Sequence, residues 1–319
     1  MSAVAAPGKL FIAGEYSVVT PGQPAVLTAV AQGIRAFASR TSQADFSVRI
    51  TAAHFGETPV DWHPGAVGAD SDRHARFSAD REPVLRACDV LEEYLGDEAS
   101  QMRGITVTIE SDLVNADGVK FGFGSSGAVV VAVLAALSSV LGRQFEKATL
   151  FRLAALAVIA GEERASCADV AVSVLGGWVF YRSFDRHATH GIRANKGVNA
   201  ALNEGFCGAE LRSLPPLTPG TLVVGHSGVA ASTRQLVAKF DHAVASGRYD
   251  HSDFNDRNAR AVLDFVRACD ARDVEAALAA LRDVRATLAD LDSGAAPDGS
   301  ALGLITPVSY THLRAHETE

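Results

Sequence analysis

The sequence lacks the features that would place it outside a reducing compartment. Its 319 residues include four cysteines, which are far apart and form no C-x-x-C pair. This spacing predicts neither a zinc site nor a disulfide framework, and it favours a reducing compartment. The N-terminus, MSAVAAPGKLFIAGEY, lacks a basic segment followed by an apolar run and a cleavage site. No secretory signal is therefore predicted, and the expected location is the cytoplasm.

Long hydrophobic runs and an excess of positive charge are also missing. The most apolar stretch, AVVVAVLAALSSVL at 128–141, is shorter than the roughly 20 residues that a membrane-spanning helix needs, so it predicts a buried helix. The formal net charge of −8 at pH 7 argues against nucleic acid or an anionic membrane as the main partner. With 48% hydrophobic and 21% charged residues, the composition is typical of a soluble protein with a full core.

Local patterns predict a mixture of strands and helices. Residues 8–19 are apolar and β-branched, which favours extended structure on both sides of a turn. Helical spacing covers 82–95 and the region around 147–163, whereas 104–113 alternates as a half-buried strand. The segment GGWVFYRSF predicts another strand. Because these elements do not alternate as regular βαβ units, the predicted fold class is α+β rather than a doubly wound parallel sheet.

The stretch GFGSSGAV, Gly122 to Val129, fits three phosphate-binding patterns. As G-x-G-x-x-G it matches a dinucleotide-binding fingerprint, but about 120 residues precede it and the segment about 20 positions later is helical, which is the wrong context. A protein-kinase glycine loop requires later H-R-D and D-F-G motifs, and neither occurs. A Walker A motif is absent as well. The remaining interpretation is a glycine-serine loop that leads ATP phosphates onto the start of a helix.

The physical basis of this interpretation is shared by all three patterns. Small residues let the backbone approach phosphate oxygens, and the following helix offers unpaired N–H groups and a positive dipole end. Ser125 and Ser126 fall where a hydroxyl can cap that helix or reach a magnesium ion, and Lys120 could add charge. The alternative is a glycine-rich turn with a serine cap and no ligand, because isolated glycine motifs match often.

The glycine-serine loop is one of three segments that together resemble the motifs of a known protein family. PGKLFIAGEYSVV, KFGFGSSGAV and SCADVAVSVLGGWVFY together resemble the GHMP kinases, a family of ATP-dependent kinases of small molecules. LFIAGEY, GSSGAV and the pair Ser232–Thr233 in AASTRQLV resemble most the branch of the family whose acceptor is 5-phosphomevalonate. The resemblance runs from about residue 4 to about residue 307.

The resemblance implies a fold that periodicity alone does not. We expect an N-terminal α+β domain with the ATP loop at 1–190, a ferredoxin-like α+β domain at 191–307, and an active site in the cleft between them. The proline-rich LPPLTPG at 214–220 is a second candidate boundary. The implied reaction is the transfer of a phosphoryl group from ATP to 5-phosphomevalonate, with Mg²⁺, giving ADP and 5-diphosphomevalonate.

The family positions also imply roles for individual residues. Lys9 would bridge the reacting phosphates, and Asp169 would hold Lys9 and the metal, with proton abstraction secondary. Local reading leaves alternatives open, since Lys9 could be a solvated lysine before a strand and Asp169 an ordinary aspartate in a turn before a strand. Ser126 would be the Mg²⁺ ligand. The expected ATP-binding residues are Lys120, Gly122, Gly124, Ser125, Ser126 and Gly127.

The acceptor is expected to contact two other segments. Glu15 and Tyr16 would face the mevalonate end of the substrate, although both could simply belong to a turn. Ser232, Thr233 and Arg234 lie in an S-x-x-Q capping box that opens a predicted helix, and the same helix start would suit the substrate phosphate. His226 stands where the family usually has a tryptophan, which puts the fine substrate contacts in question.

The last residues depart from the family pattern. After GLITP at 303–307, a family member would continue through a helix into a third, glycine-rich motif, whereas this sequence reads VSYTHLRAHETE. Residues 308–319 look like translated adaptor or vector sequence, so we expect the chain as written to have little or no kinase activity. Two alternatives remain: a kinase that uses mevalonate as its acceptor, and a catalytically silent relative that binds a nucleotide or metabolite.

Overall fold

The computed structural model describes residues 2–42, 45–52, 58–64, 81–113, 122–217 and 251–294, together with 222, 224 and 245. The strands are β1 Ser2–Ala13, β2 Pro24–Arg40, β3 Val48–Ala52, β4 Val60–Trp62, β5 Ile105–Ser111, β6 Trp178–Arg182 and β7 Glu210–Leu214. The helices are α1 Glu82–Leu95, α2 Ser125–Val140, α3 Lys147–Gly161, α4 Ala168–Leu175, α5 Arg186–Lys196, α6 Val198–Glu204, α7 His251–Ala271 and α8 Val274–Gly294. Short 3-10 helices cover Ser17–Val19 and Gly96–Met102.

One mixed sheet contains all seven described strands. Its order is β4-β3-β5-β2-β6-β7, and β1 pairs with β2 off this path. β2 and β5 are antiparallel, with Ala36 opposite Ile109 and Ala38 opposite Val107. These four residues are buried because the side-chain period of two turns the apolar residues of both strands to the same face. β3 runs parallel to β5 and antiparallel to β4. The predicted α+β class is confirmed.

Helix α2 is the central helix of those that pack beside this sheet. Its middle, Ala128–Leu134, is buried throughout, as expected for a helix that is apolar on every side. It packs on β5 and against α1, α3 and α4. The strands and helices predicted around 82–95, 104–113, 147–163 and GGWVFYRSF correspond to α1, β5, α3 and β6.

The chain divides into two compact units. One comprises Met1–Leu10, Val19–Gly22 and Leu27–Ser213, and the other comprises Phe11–Val18, Gln23–Val26 and Leu214–Glu319. In the second unit α7 and α8 pack together. Between them Arg272 has a φ of 57°, and the Asp273 side chain caps α8 by accepting from the Ala276 N–H at 2.9 Å. The division at residues 190 and 191 stays a prediction, and the proposed tail at 308–319 lies outside the described residues.

No helix in the described part of the chain is long and apolar enough to cross a membrane.

An ion pair ties three helices of the first unit together. Arg193 of α5 forms a two-point contact with Glu93 of α1 and also donates to the Leu156 carbonyl of α3 at 3.2 Å. The two charged side chains are only 14% and 15% exposed. Removing one charge therefore leaves the other in a poorly solvated place.

We expect Glu93→Gln to lower the free energy of unfolding by about 2 kcal/mol, because a charge-assisted hydrogen-bond pair is weakened while Arg193 stays largely buried. Urea denaturation followed by circular dichroism measures this change. Glu110→Gln is the matched control, since its partner Arg35 is 49% exposed and such surface pairs contribute about 0–1 kcal/mol. Equal losses in the two variants would contradict the prediction.

Candidate active site

The first contact of the site joins β1 to the glycine loop. The Lys9 N–H donates to the Phe123 carbonyl at 2.8 Å, so the loop runs directly beside the strand that carries Lys9. Gly8 makes this approach possible. A Cβ at Gly8 would lie 2.8 Å from Leu113 Cδ2 and 2.9 Å from the Phe123 carbonyl oxygen. No local pattern distinguishes Gly8 beyond its place in the PGK segment, because its role depends on contacts with residues far along the chain.

Gly124 turns the loop into α2. Its φ of 73° and ψ of 45° are left-handed, a conformation that glycine adopts without the steric penalty of a side chain. A Cβ there would lie 3.0 Å from Lys9 Cε and 3.2 Å from Asp169 Cβ. The Lys9 side chain and Asp169 therefore converge on the bare backbone of Gly124.

Asp169 lies where two helices begin. It is the second residue of α4, and its Oδ1 accepts from the Val170 N–H at 2.9 Å. The Gly127 N–H, in the first turn of α2, lies near enough to this carboxylate to act to lower its pKa. A Cβ on Gly127 would lie 2.5 Å from Asp169 Oδ2, so only glycine allows this contact. The carboxylate thus lies at the positive dipole ends of two helices and accepts from an N–H of α4.

The charge state of Asp169 reflects opposing effects. Burial raises the pKa of the Asp169 carboxyl, while the Lys9 charge and the N–H groups of Val170, Asp169 and Gly127 act to lower that pKa. The residue as a whole is half-buried. The net effect is a raised pKa for Asp169, and the Lys9 charge is the largest of the effects that oppose burial.

The local structure around Asp169 differs from the turn that its sequence allowed. ADVAVSVL forms α4, so the reading of Asp169 as an aspartate in a turn before a strand is wrong. Alternating valines favour a strand when taken alone. In the fold, Val170 and Val172 are buried on a helix that packs against α2 and α3, and tertiary packing outweighs the weak local preference.

The remaining loop residues are arranged around the start of α2. Ser125 is half-buried and Ser126 is exposed. Neither caps the helix, since α2 carries no side-chain cap hydrogen bond. Gly122 is exposed with a φ of 80°.

Among the predicted site residues, the structure brings Lys9, Gly124, Gly127 and Asp169 together. Lys120, Ser232, Thr233 and Arg234 lie outside the described residues.

Glu15 and Tyr16 form a strained turn in the second unit. The Ser17 N–H donates to the Glu15 carbonyl at 2.7 Å, which closes a γ-turn around Tyr16 at a φ of 61°. This backbone region is costly for an aromatic residue, and such strain is concentrated at functional sites. Burial raises the pKa of the Tyr16 phenol, as do the nearby negative charges of Glu15 and Asp292. The hydroxyl therefore stays protonated and able to donate.

The side chains of the site suit a metal only in combination with phosphate. No group of three or more His, Cys, Asp or Glu residues within the described ranges could hold a metal ion. Mg²⁺ is commonly bound by one or two protein oxygens together with substrate phosphates. Asp169 and the Ser126 hydroxyl at the start of α2 fit that kind of donor set.

Fold and site together define a class of protein. A lysine and an aspartate converge on a glycine loop at a helix N-terminus, in an α+β fold. Such an arrangement is suited to binding phosphate and neutralising transferring charge, as a small-molecule kinase requires.

Comparisons with known proteins identify the family. The sequence profile described as "GHMP kinases N terminal domain" matches residues 82–177. Phosphomevalonate kinase from Streptomyces sp. (strain CL190) is 35% identical over 309 residues, which cover 95% of this chain and 80% of that protein. The chain belongs to the GHMP kinase family and is a phosphotransferase, as the resemblance of its three motifs implied.

Solved structures share the fold. A Lin0012 protein from Listeria innocua superposes with a TM-score of 0.81 at 27% identity, covering 92% of this chain and 79% of that one. Streptococcus pneumoniae phosphomevalonate kinase, in complex with phosphomevalonate and AMPPNP, superposes with a TM-score of 0.74 at 23% identity, covering 92% and 82%.

Proposed function

We propose that this protein transfers the γ-phosphoryl group of ATP to the phosphate of 5-phosphomevalonate, releasing ADP and 5-diphosphomevalonate. The observation that carries the proposal is the meeting of Lys9 and Asp169 over Gly124 and Gly127, where α2 and α4 begin. The 35% identity to a phosphomevalonate kinase along 95% of the chain supports this acceptor. The cytoplasm, where both substrates would be available, is the proposed location.

The acceptor explains why a lysine is needed more than a strong base. A phosphate monoester has a second pKa near ~6, so its attacking oxygen is largely ionised at neutral pH. The main obstacle is the repulsion between two anions that must come together. Lys9 would bridge the two reacting phosphates, and the N–H groups at the start of α2 would bind the ATP phosphates.

Asp169 would act mainly by holding Lys9. Its carboxylate lies beside the Lys9 side chain, accepts from the Val170 N–H and lies against Gly127. In this role it fixes the lysine where negative charge develops, at little reorganisation cost during the reaction. Removal of the acceptor proton would be secondary.

The nucleotide would lie along the loop from Gly122 to Gly127. Ser125 would contact phosphate and the Ser126 hydroxyl would hold Mg²⁺ together with Asp169, while Lys120 would add charge. Mg²⁺, when bound, neutralises charge on the transferring phosphoryl oxygens.

The acceptor would be recognised through Glu15 and Tyr16 and through Ser232, Thr233 and Arg234. The protonated Tyr16 hydroxyl in its strained turn supports a role as a hydrogen-bond donor. Arg234 and a helix start would suit the substrate phosphate.

The decisive experiment compares acceptors. ADP release is followed with ATP and Mg²⁺ and with 5-phosphomevalonate, mevalonate or no acceptor, and ³¹P NMR identifies the product by its diphosphate coupling. We expect kcat/KM for 5-phosphomevalonate to exceed that for mevalonate by about 10²-fold or more, because a site built to pair a charged group rejects an analogue that lacks it.

Each of the other possible outcomes would indicate a different activity. Preferential use of mevalonate would assign the acceptor to the alcohol. ATP binding in calorimetry without turnover of either acceptor, even with enzyme in excess over ATP so that slow transfer would be detected, would mean a nucleotide-binding relative without kinase activity. ADP release that is independent of any acceptor would mean hydrolysis. All three results contradict the proposal.

A further inference from the structure

Helix α4, which carries Asp169, is attached to its surroundings by two buried hydroxyl groups. The Tyr181 hydroxyl donates to the Ser166 carbonyl at 2.7 Å, and the Ser173 hydroxyl donates to the Pro7 carbonyl at 2.8 Å. Tyr181 is fully buried and Ser173 is 5% exposed. The first bond lies just before the helix and the second lies in its last turn, so α4 is held at both ends.

The bond from Tyr181 fixes a strained turn. Cys167 follows Ser166 and has a φ of 59° and a ψ of 14°, in the left-handed region, which is unusual for a residue other than glycine, asparagine or aspartate. The Ser166 hydroxyl accepts from the Ala168 N–H at 3.3 Å on the other side of this turn. Strained conformations persist only where the surrounding structure holds them. Asp169 comes two residues after Cys167, so relaxation of this turn would move the carboxylate.

The bond from Ser173 links the two catalytic elements directly. Pro7 lies on β1 two residues before Lys9, and Ser173 lies on α4 four residues after Asp169. A hydroxyl-to-carbonyl bond between these positions sets the spacing between the strand of Lys9 and the helix of Asp169. The Lys9 N–H, bonded to the Phe123 carbonyl, then ties the same strand to the glycine loop.

Conservative substitutions can remove the hydroxyl groups of Tyr181 and Ser173 while the packing around these side chains is kept. The Tyr181 ring packs edge-on against Phe151, with ring centroids 6.0 Å apart, and phenylalanine would keep this contact. Ser173→Ala removes one atom from a helix that favours alanine. Both substitutions therefore delete a hydrogen bond with little change in shape.

We infer that Tyr181 and Ser173 are positioning residues of the phosphotransfer site: their two buried hydroxyl bonds hold α4 so that the Asp169 carboxylate meets Gly127 and Lys9. The inference rests on the proposed function for its catalytic part, whereas its geometric part stands on the hydrogen bonds alone.

The kinetic test uses Tyr181→Phe and Ser173→Ala in single-turnover reactions with enzyme in excess over ATP. We expect each variant to lower the transfer rate about tenfold, because small misplacements of catalytic groups are costly, with apparent substrate affinities changed less than about twofold. In an Asp169→Asn background the same substitutions should cost less than about twofold, because residues that act as a unit are not additive. Tyr94→Phe and Ser138→Ala are the matched controls, because the Tyr94 ring on α1 packs edge-on against Phe145 and the Ser138 hydroxyl donates to the Ala135 carbonyl of its own helix, α2, at 2.9 Å.

The second test examines the position of Asp169 by NMR and requires no measurement of activity. In ¹⁵N-glycine-labelled protein, the Gly127 amide is assigned by its loss in Gly127→Ala. Because the Asp169 carboxylate lies against Gly127 and is affected by its N–H, the proton resonance of this amide should shift in Tyr181→Phe and in Ser173→Ala towards its position in Asp169→Asn. The Tyr94 and Ser138 variants should leave it in place.

The outcomes distinguish failure of the positioning role of Tyr181 and Ser173 from failure of the proposed function. Loss of rate by the same factor in both backgrounds, or a Gly127 resonance that moves in neither variant, would overturn the positioning role. If the unaltered chain transfers phosphate to neither acceptor, the proposed function fails, and the Gly127 resonance alone then decides whether Tyr181 and Ser173 place Asp169.

Discussion

Lys9→Met is expected to lower the rate of phosphoryl transfer by about 10³-fold, the magnitude associated with removing a cation from a transferring phosphoryl group. Methionine keeps much of the length and packing of the side chain that lies over Gly124, so the loss of charge dominates. Single-turnover quenched flow with enzyme in excess measures the rate even when the unaltered chain is slow. Lys196→Met is the control, because this lysine is 58% exposed and pairs with Glu204.

The same variant carries a pH signature. Lys9 lowers the pKa of Asp169 against the effect of burial, so loss of the lysine charge should raise that pKa further. Asp169 is ionised only above its pKa. The acidic limb of the pH–rate profile should therefore move to higher pH in Lys9→Met. A uniform drop in rate with an unmoved acidic limb would mean that Lys9 and Asp169 are not coupled.

Gly127→Ala is expected to lower the transfer rate by about 10²-fold, because a displacement of about 1 Å in a catalytic group has an effect of this size. The new Cβ would lie 2.5 Å from Asp169 Oδ2 and 2.6 Å from its Cγ, closer than van der Waals contact allows. The carboxylate must therefore move away from the first turn of α2. The backbone itself is helical at this position, so alanine introduces no conformational strain of its own.

Gly191→Ala isolates the steric cause in this experiment. Gly191 lies inside α5 and a Cβ there meets nothing within 4 Å. Alanine should leave the rate unchanged and stabilise the protein by about 0.5–1 kcal/mol. Unchanged activity in Gly127→Ala, with a normal circular dichroism spectrum, would show that contact between Asp169 and the first turn of α2 is not required for transfer.

Sequence patterns predicted the elements that follow local rules. Helix α1 has the predicted bounds, since amphipathic spacing and Pro83 in its first turn favour a helix there. β5 follows the alternation of 104–113. By contrast, the serine cap predicted for α2 does not form. Gly124 in a left-handed conformation starts that helix instead, and this choice depends on how closely Lys9 and Asp169 approach it.

The roles suggested for site residues came from motif resemblance rather than from periodicity. GKLFIAGEY, GFGSSGAV and SCADV are separated by more than a hundred and by about forty residues, and no local rule relates them. The described structure brings the first and third segments to the second through Lys9, Gly124, Gly127 and Asp169. Glu15 and Tyr16 stay predictions as substrate contacts, and so do the residues at 120 and 232–234.

The sequence alone determined the α+β class, the helix that follows the glycine loop and the kinds of side chain available for phosphate chemistry, because these depend on short-range patterns and residue types. Only the tertiary structure decided that Asp169 would begin a helix, that Gly127 must lack a side chain and that Tyr181 and Ser173 would hold α4. The physical reason is that each depends on close contacts between atoms far apart in the chain, and such contacts leave no local pattern.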